Sequence, residues 1–315
     1  MSTNRIFIAG HKEMVGLAIL NRLNKLKKKT LFEEKSDLDL LDQKKIFNFF
    51  KKNKVNQLYI CAARVGGIYA NSKYPANFIY ENLTIATNLI HAAYLNKIKK
   101  ILFLGSSCIY PNTILRPIKE NDLLSSRLEP TNEFYSIAKI AGIKLAQSYN
   151  RQYNMDIRCV IPNNLYGLND NYDEKKSHVV PALIRKIDLA KKKKKNFISL
   201  WGTGKPKREL LYTDDLANLV IEVMSITKKK FKLITGGDHM INIGSGNEYS
   251  INSLAKLIAQ TIGFKGKILF DKNKLDGAKR KFLDTARQKK LKIYPKINIK
   301  EGLKLTYKDY IKNIA

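Results

Sequence analysis

Tyr135 and Lys139, four apart in "YSIAKIAG", are the residues of this 315-residue chain whose types and spacing best suit proton transfer. On a helix, positions i and i+4 share a face. An ammonium beside a phenol favours the phenolate, which draws the tyrosine toward acid–base work near neutral pH. Upstream, "SSCIYP" follows the apolar run ILFLG. Hydroxyls at the C-terminal end of a strand, Ser106 first, can donate to a substrate oxygen, and Cys108 adds a thiol to the same turn. Downstream, "SHVVP" carries His178, one of four histidines. A thiol and an imidazole supply the acid and base that proton exchange on two faces of a molecule requires. Cys61 and Cys159 fall in apolar strand cores and read as small buried hydrophobes. Three widely spaced cysteines make neither a disulfide framework nor a zinc site, and no metal is expected.

These groups need a frame. In "RIFIAGHKEMVGLAIL" an apolar run enters Gly10, Gly16 follows six residues later, and helical periodicity begins. That is how a strand, a phosphate-binding turn and a helix read in a dinucleotide unit. Glu13 stands where a middle glycine is usual. At about 4 Å and an effective dielectric of about 20, two like charges repel by about 4 kcal/mol. Turning the side chain to solvent or toward the adjacent Lys12 would relieve most of this. Strand patterns recur at Ile6–Ala9, Thr30–Glu33, Gln57–Ala62, Lys100–Gly105 and Asp156–Pro162. Helical patterns lie between them at Val15–Lys27, Gln43–Lys52, Ala76–Leu95 and Tyr135–Tyr153. The alternation predicts an α/β fold with a Rossmann-type doubly wound parallel sheet. Ligands of such sheets bind at the C-terminal strand ends, where the clusters above fall. From about Asn169 the loops lengthen, "WGTGKPKRELLYTDDLANLVIEVM" runs from turn residues into a helix, and Ser250 is placed to cap another helix. We expect a dinucleotide-binding domain over 1–168 and a smaller, mainly substrate-binding region over 169–315, with the chain free to cross between them.

Hydrophobic content is 44% and the formal charge is +31. The lysine runs, such as Lys191 to Lys195, lie at helix ends or loops and carry no RNA-binding signature. They read as solvated faces that attract small polyanions, with no nucleic-acid or membrane partner. The absence of a secretory leader pattern or an apolar run of about 18 residues reads as a cytoplasmic protein.

The order of glycine loop, strand-end serine and Tyr-x-x-x-Lys resembles the short-chain dehydrogenase/reductase superfamily, extended type. The likeness is closest to the branch that epimerises and reduces GDP-4-keto-6-deoxy sugars. It covers nearly the whole chain through "AGHKEMVG", "ARVGGIYAN", "FIYENL", "LGSSCIYP", "EPTNEFYSIAKIAGIKLAQSYNRQY", "NNLYG", "SHVVPALIRK", "WGTGKPKREL" and "LDGAKRKFLD". The resemblance implies that Tyr135 protonates the developing alkoxide, Lys139 lowers its pKa and holds the nicotinamide ribose, and Ser106 bonds the carbonyl oxygen. Cys108 and His178 would exchange protons at C3 and C5. NADP(H) would be held by Gly10, Lys12, Met14, Val15, Gly16, Lys35, Lys139, His178 and the segment Pro162, Asn163, Asn164 and Leu165. The substrate would be held by Lys186, Trp201, Arg208 and Asp276. An acid after the second strand, Glu33 or Glu34, would suit NAD(H) instead; Lys12 and Lys35 tip the expectation to NADP(H). The resemblance also implies a homodimer, and leaves open whether the GDP sugar is the mannose-derived, the colitose-type or the deoxyheptose-type ketone.

Overall fold

The computed structural model describes residues 5–173, 177–274 and 276–314. Its first half alternates β1 (Arg5–Ala9), α1 (Met14–Lys25), β2 (Lys29–Leu31), α2 (Gln43–Asn53), β3 (Gln57–Ile60), α3 (Ile68–Lys73), α4 (Pro75–Leu95), β4 (Lys100–Leu104), α5 (Glu133–Tyr153) and β5 (Ile157–Pro162). The remainder comprises β6 (Asn164–Tyr166), α6 (Val179–Lys192), β7 (Phe197–Trp201), β8 (Lys207–Tyr212), α7 (Thr213–Ser225), α8 (Lys228–Thr235) and β9 (Met240–Ile243). After these come β10 (Glu248–Ser250), α9 (Ile251–Ile262), β11 (Lys267–Asp271), β12 (Arg280–Lys281), α10 (Ala286–Lys290) and α11 (Ile299–Asn313).

Six strands form a sheet in the order β2-β1-β3-β4-β5-β9, every pair parallel. Period-two side chains explain why helices cover both faces. Phe7, Leu58, Ile60, Ile101, Phe103, Ile157 and Cys159 pack with Ile46, Phe50, Leu89, Ile90 and Ile143 of α2, α4 and α5. Their neighbours Ile6, Ile8, Tyr59, Leu102, Leu104 and Val160 pack on the opposite face with Ile19 and Leu23 of α1 and Leu216, Val220 and Val223 of α7. The strand order turns from one side to the other between β1 and β3, so the C-terminal ends of these two strands mark the switch point at which such sheets hold ligands.

β9 and α7 come from the second half of the sequence yet complete the first sheet, so the chain does cross back. Of the other C-terminal elements, α6, β8, α9 and α11 build a separate core that includes Val180, Leu183, Ile187, Leu210, Leu254, Ile258 and Leu303. There β8 pairs with β10, β12 and β6, and β7 pairs with β11. Ser250 caps α9 by accepting from the Ser253 N–H at 3.0 Å, as its position suggested. The strand β8 departs from the turn-then-helix expectation. Its Glu209 is fully buried and interrupts the apolar alternation by which a strand is recognised.

Candidate active site

The two predicted glycines of the β1–α1 turn are demanded by the backbone. Gly10 has φ +86°, and a Cβ there would lie 2.6 Å from the Cα of Ala62 beyond β3. A Cβ on Gly16 would sit 2.0 Å from the carbonyl oxygen of Gly10. Glu13, between them, has φ −68° and ψ 149°, ordinary extended values open to any residue. The structure therefore needs glycine at positions 10 and 16 but not at 13, where the close approach of a ligand is the only reason for one. Strand, turn and helix pack closely enough at this switch point to fit a dinucleotide diphosphate against the first backbone N–H groups of α1.

A cleft of about 2640 Å³ runs from Glu13, Met14 and Val15, across the ends of β4 and β5, to the C-terminal elements. Ser106 follows β4 in extended conformation, and its Oγ accepts from the Cys108 N–H at 3.3 Å to start a short 3₁₀ turn. Ser136 of α5 donates to the Cys108 carbonyl at 2.9 Å, locking that turn to the helix that carries Tyr135 and Lys139. Ser106, Cys108, Tyr135 and Lys139 thereby share one wall of the cleft.

Tyr135 and Lys139 do share a helix face, with Lys139 Nζ 5.9 Å from the phenol ring centroid. The electrostatics differ from the expectation. Lys139 is buried, its Nζ donates to the Leu104 carbonyl at 2.9 Å, and burial pulls its ammonium down to about 8. Burial also pushes Tyr135 well above the ordinary tyrosine range, the nearby Cys108 adding to the rise and hydrogen bonding with Ser106 opposing it. The ammonium faces the Leu104 carbonyl, and desolvation outweighs its attraction for a phenolate. Tyr135 is thus held as a neutral proton donor.

Cys108 is half-buried, with Asn132 Nδ2 at 3.5 Å and Lys281 Nζ at 3.6 Å from its sulfur. His178 lies at the N-terminal boundary of α6, lowered below the usual histidine range by burial and then by the positive charge of Lys281. Its imidazole is neutral at pH 7. Lys281, at the end of β12, therefore faces both the thiol and the imidazole, and sequence reasoning missed it. So did it miss Glu209, whose buried carboxylate accepts from Asn163, from the Leu283 N–H at 3.0 Å and from the Gly246 N–H at 2.7 Å. Burial raises its carboxyl, against which these bonds act. The only available signal was a lone acid inside the apolar stretch "RELLY".

Pro162, Asn163, Asn164 and Leu165 line the cleft beyond β5, with Asn163 Oδ1 accepting from the Asn164 N–H at 2.9 Å. Lys186, Trp201, Arg208 and Asp276 line its far end. Trp201 is 73% exposed, an apolar plate facing the opening. Arg208 donates to the carbonyls of Lys207 and Ala278 at 2.8 and 2.7 Å, and burial lowers its guanidinium. Asp276 accepts from the Thr203 N–H at 2.9 Å and the Thr203 hydroxyl at 2.6 Å, so its carboxylate holds the turn after Trp201.

Of the basic pair expected near the cofactor's ribose, Lys12 is ion-paired with the acid that follows the second strand. Lys12 Nζ is 2.7 Å from Glu34, and His11 Nε2 is 3.5 Å from the same carboxylate. Lys12 thus does not neutralise Glu13. Lys35 is exposed and, like Lys12, lies outside the cleft lining.

Comparison with known proteins agrees with this architecture. Residues 6–244 match the model of the NAD dependent epimerase/dehydratase family. A GDP-L-fucose synthase of Escherichia coli (strain K12) is 46% identical over 99% of this chain and 98% of its own length. One of Sinorhizobium fredii (strain NBRC 101917 / NGR234) is 43% identical, covering 99% and 96%. A GDP-mannoheptose C4 reductase from Campylobacter jejuni, solved with NADP bound, superposes with a TM-score of 0.87 at 34% identity and 99% coverage of both chains. Fold, site geometry and full-length similarity converge: the chain belongs to the NAD dependent epimerase/dehydratase family.

Proposed function

We propose that the chain is an NADPH-dependent epimerase and reductase that converts GDP-4-keto-6-deoxy-D-mannose to GDP-L-fucose. The observation that carries this reading is one cleft in which Ser106, Tyr135 and Lys139 meet a second acid–base pair, Cys108 and His178. A reductase alone needs only the first set. Full-length identity of 46% to a GDP-L-fucose synthase supports the substrate assignment.

The 4-keto group acidifies the C–H bonds at C3 and C5. The Cys108 thiol and the neutral His178 imidazole exchange protons at those carbons, taking one from one face and returning one to the other. NADPH, when bound, supplies the hydride for C4. Ser106 holds the carbonyl oxygen and Tyr135 gives it a proton, a role suited to a phenol that burial keeps protonated. Lys139, whose ammonium is anchored on the Leu104 carbonyl, would hold the ribose of the cofactor. Gly10, Met14, Val15, Gly16 and the Pro162–Leu165 segment would hold the cofactor. Lys186, Arg208 and Trp201 receive the GDP moiety, a cation pairing with phosphate and an aromatic plate with the nucleoside.

The protein acts in the cytoplasm as a homodimer. The exposed Tyr80, Leu95, Phe134, Ile137 and Tyr153 on α4 and α5 offer an apolar face for the partner copy. Incubation with GDP-4-keto-6-deoxymannose and NADPH should consume absorbance at 340 nm and yield GDP-L-fucose by NMR; the absence of both changes would refute the reading. The structural likeness to a heptose C4 reductase motivates the same assay on a panel of GDP keto sugars, and turnover of only a colitose-type or heptose ketone would reassign the substrate.

A further inference from the structure

We propose that Glu13 makes dinucleotide binding proton-coupled: its carboxylate stands against the cofactor's diphosphate and takes up a proton as the cofactor binds. The inference rests on the reading of the Gly10–Gly16 turn as the diphosphate site. Three observations carry it. Glu13 lines the cleft at the start of α1 and makes no capping bond to that helix, so its side chain serves no visible structural purpose. Its backbone is in an ordinary extended conformation, so the residue is carried without strain and glycine is not required for folding. The adjacent cation that would cancel its charge, Lys12, is bound to Glu34 at 2.7 Å, and His11 also faces Glu34.

Titratable groups that other elements bring to the same cleft include Cys61 after β3, Cys108 after β4, Tyr135 and Lys139 on α5 and His178 before α6. None of these shifts Glu13, whose side chain is solvent-exposed and whose carboxyl is raised only by desolvation from the protein around it. A bound diphosphate adds like charge and pushes it further in the same direction. Affinity is then fully present below the free-state pKa and falls as pH rises through the bound-state pKa, with one proton taken up between them.

The test is titration of NADPH fluorescence from pH 5.5 to 8.5 on the whole protein, with Glu13→Gln and Glu13→Gly beside the parent. A coupling of one pKa unit corresponds to about tenfold in affinity. The parent's Kd should therefore rise more over this range than that of Glu13→Gln, by up to about tenfold. Both variants should bind more tightly than the parent at pH 8.5. The internal comparison removes titration of the 2′-phosphate, His11 and His178, which all three proteins share. Calorimetry of the parent in buffers of differing ionisation enthalpy should show proton uptake on binding, and needs no variant. Parallel pH profiles, zero uptake, or tightening by glycine without glutamine would overturn the proposal, the last by making bulk the cause. Failure of all three proteins to bind NADPH at any pH would instead remove the diphosphate-site reading itself.

Discussion

Tyr135 works from a half-buried, protonated resting state, and the consequences are measurable. Tyr135→Phe should lower the rate of C4 reduction by about 10²-fold or more while leaving NADPH fluorescence titration nearly unchanged. Cys108→Ser and His178→Gln should instead depress exchange of solvent deuterium into C3 and C5, read by NMR before reduction. Unchanged product stereochemistry and rate in His178→Gln would remove that residue from the mechanism. Because burial brings Lys139 down to about 8, its ammonium is present below that pH and lost above it. The profile of kcat/KM should accordingly carry a basic limb near pH 8 that Lys139→Arg displaces upward. The identities of these residues were legible in the sequence, since a phenol, an amine, a thiol and an imidazole announce their chemistry. Their protonation was not. Desolvation depends on what packs around a group, and nothing in "YSIAKIAG" states that Lys139 will point at the carbonyl of Leu104.

The β1–α1 turn shows how an element can be readable and still surprise. Its glycines predicted the turn, and the geometry assigns each a different reason. Gly16→Ala should destabilise the protein by about 1–3 kcal/mol, measured by denaturant unfolding, because its Cβ would meet the Gly10 carbonyl oxygen at 2.0 Å. Central strands were legible because apolar runs between amphipathic helices leave few alternatives; their ends fell within a residue or two of the observed limits. β8 was not legible, because a buried glutamate sits where the pattern demands an apolar residue. Glu209 ties the loop after β5 to the segment after β12 and to the turn before β10. Glu209→Ala strands those donors in a buried setting. At about 1–3 kcal/mol for each unsatisfied group, it should cost more stability than Asp276→Ala at the exposed Thr203 turn, by the same unfolding assay.

The molecule as a whole carries +31, and its cleft must admit two anionic ligands. Raising ionic strength screens such attraction, so kcat/KM should fall with added salt more steeply than kcat. A homodimer predicts a solution mass about twice 36.1 kDa by light scattering. Composition displayed the charge but not its arrangement, and the division into two regions was only half visible. No local pattern says that β9 belongs beside β5, because a strand's partner is set by the whole topology. That return has a consequence for the protein's birth. As the chain leaves the ribosome, β5 emerges with an open edge and α1 with its apolar side uncovered. β9 follows β5 by roughly 80 residues and α7 follows α1 by roughly 190, about 4 to 16 s and about 10 to 40 s at ordinary synthesis rates. For that interval the nascent protein carries an unfinished sheet exposed to aggregation. Trigger-type chaperones that shelter apolar surface at the exit tunnel should therefore raise its soluble yield, whereas a fragment ending at residue 168 should accumulate as insoluble material.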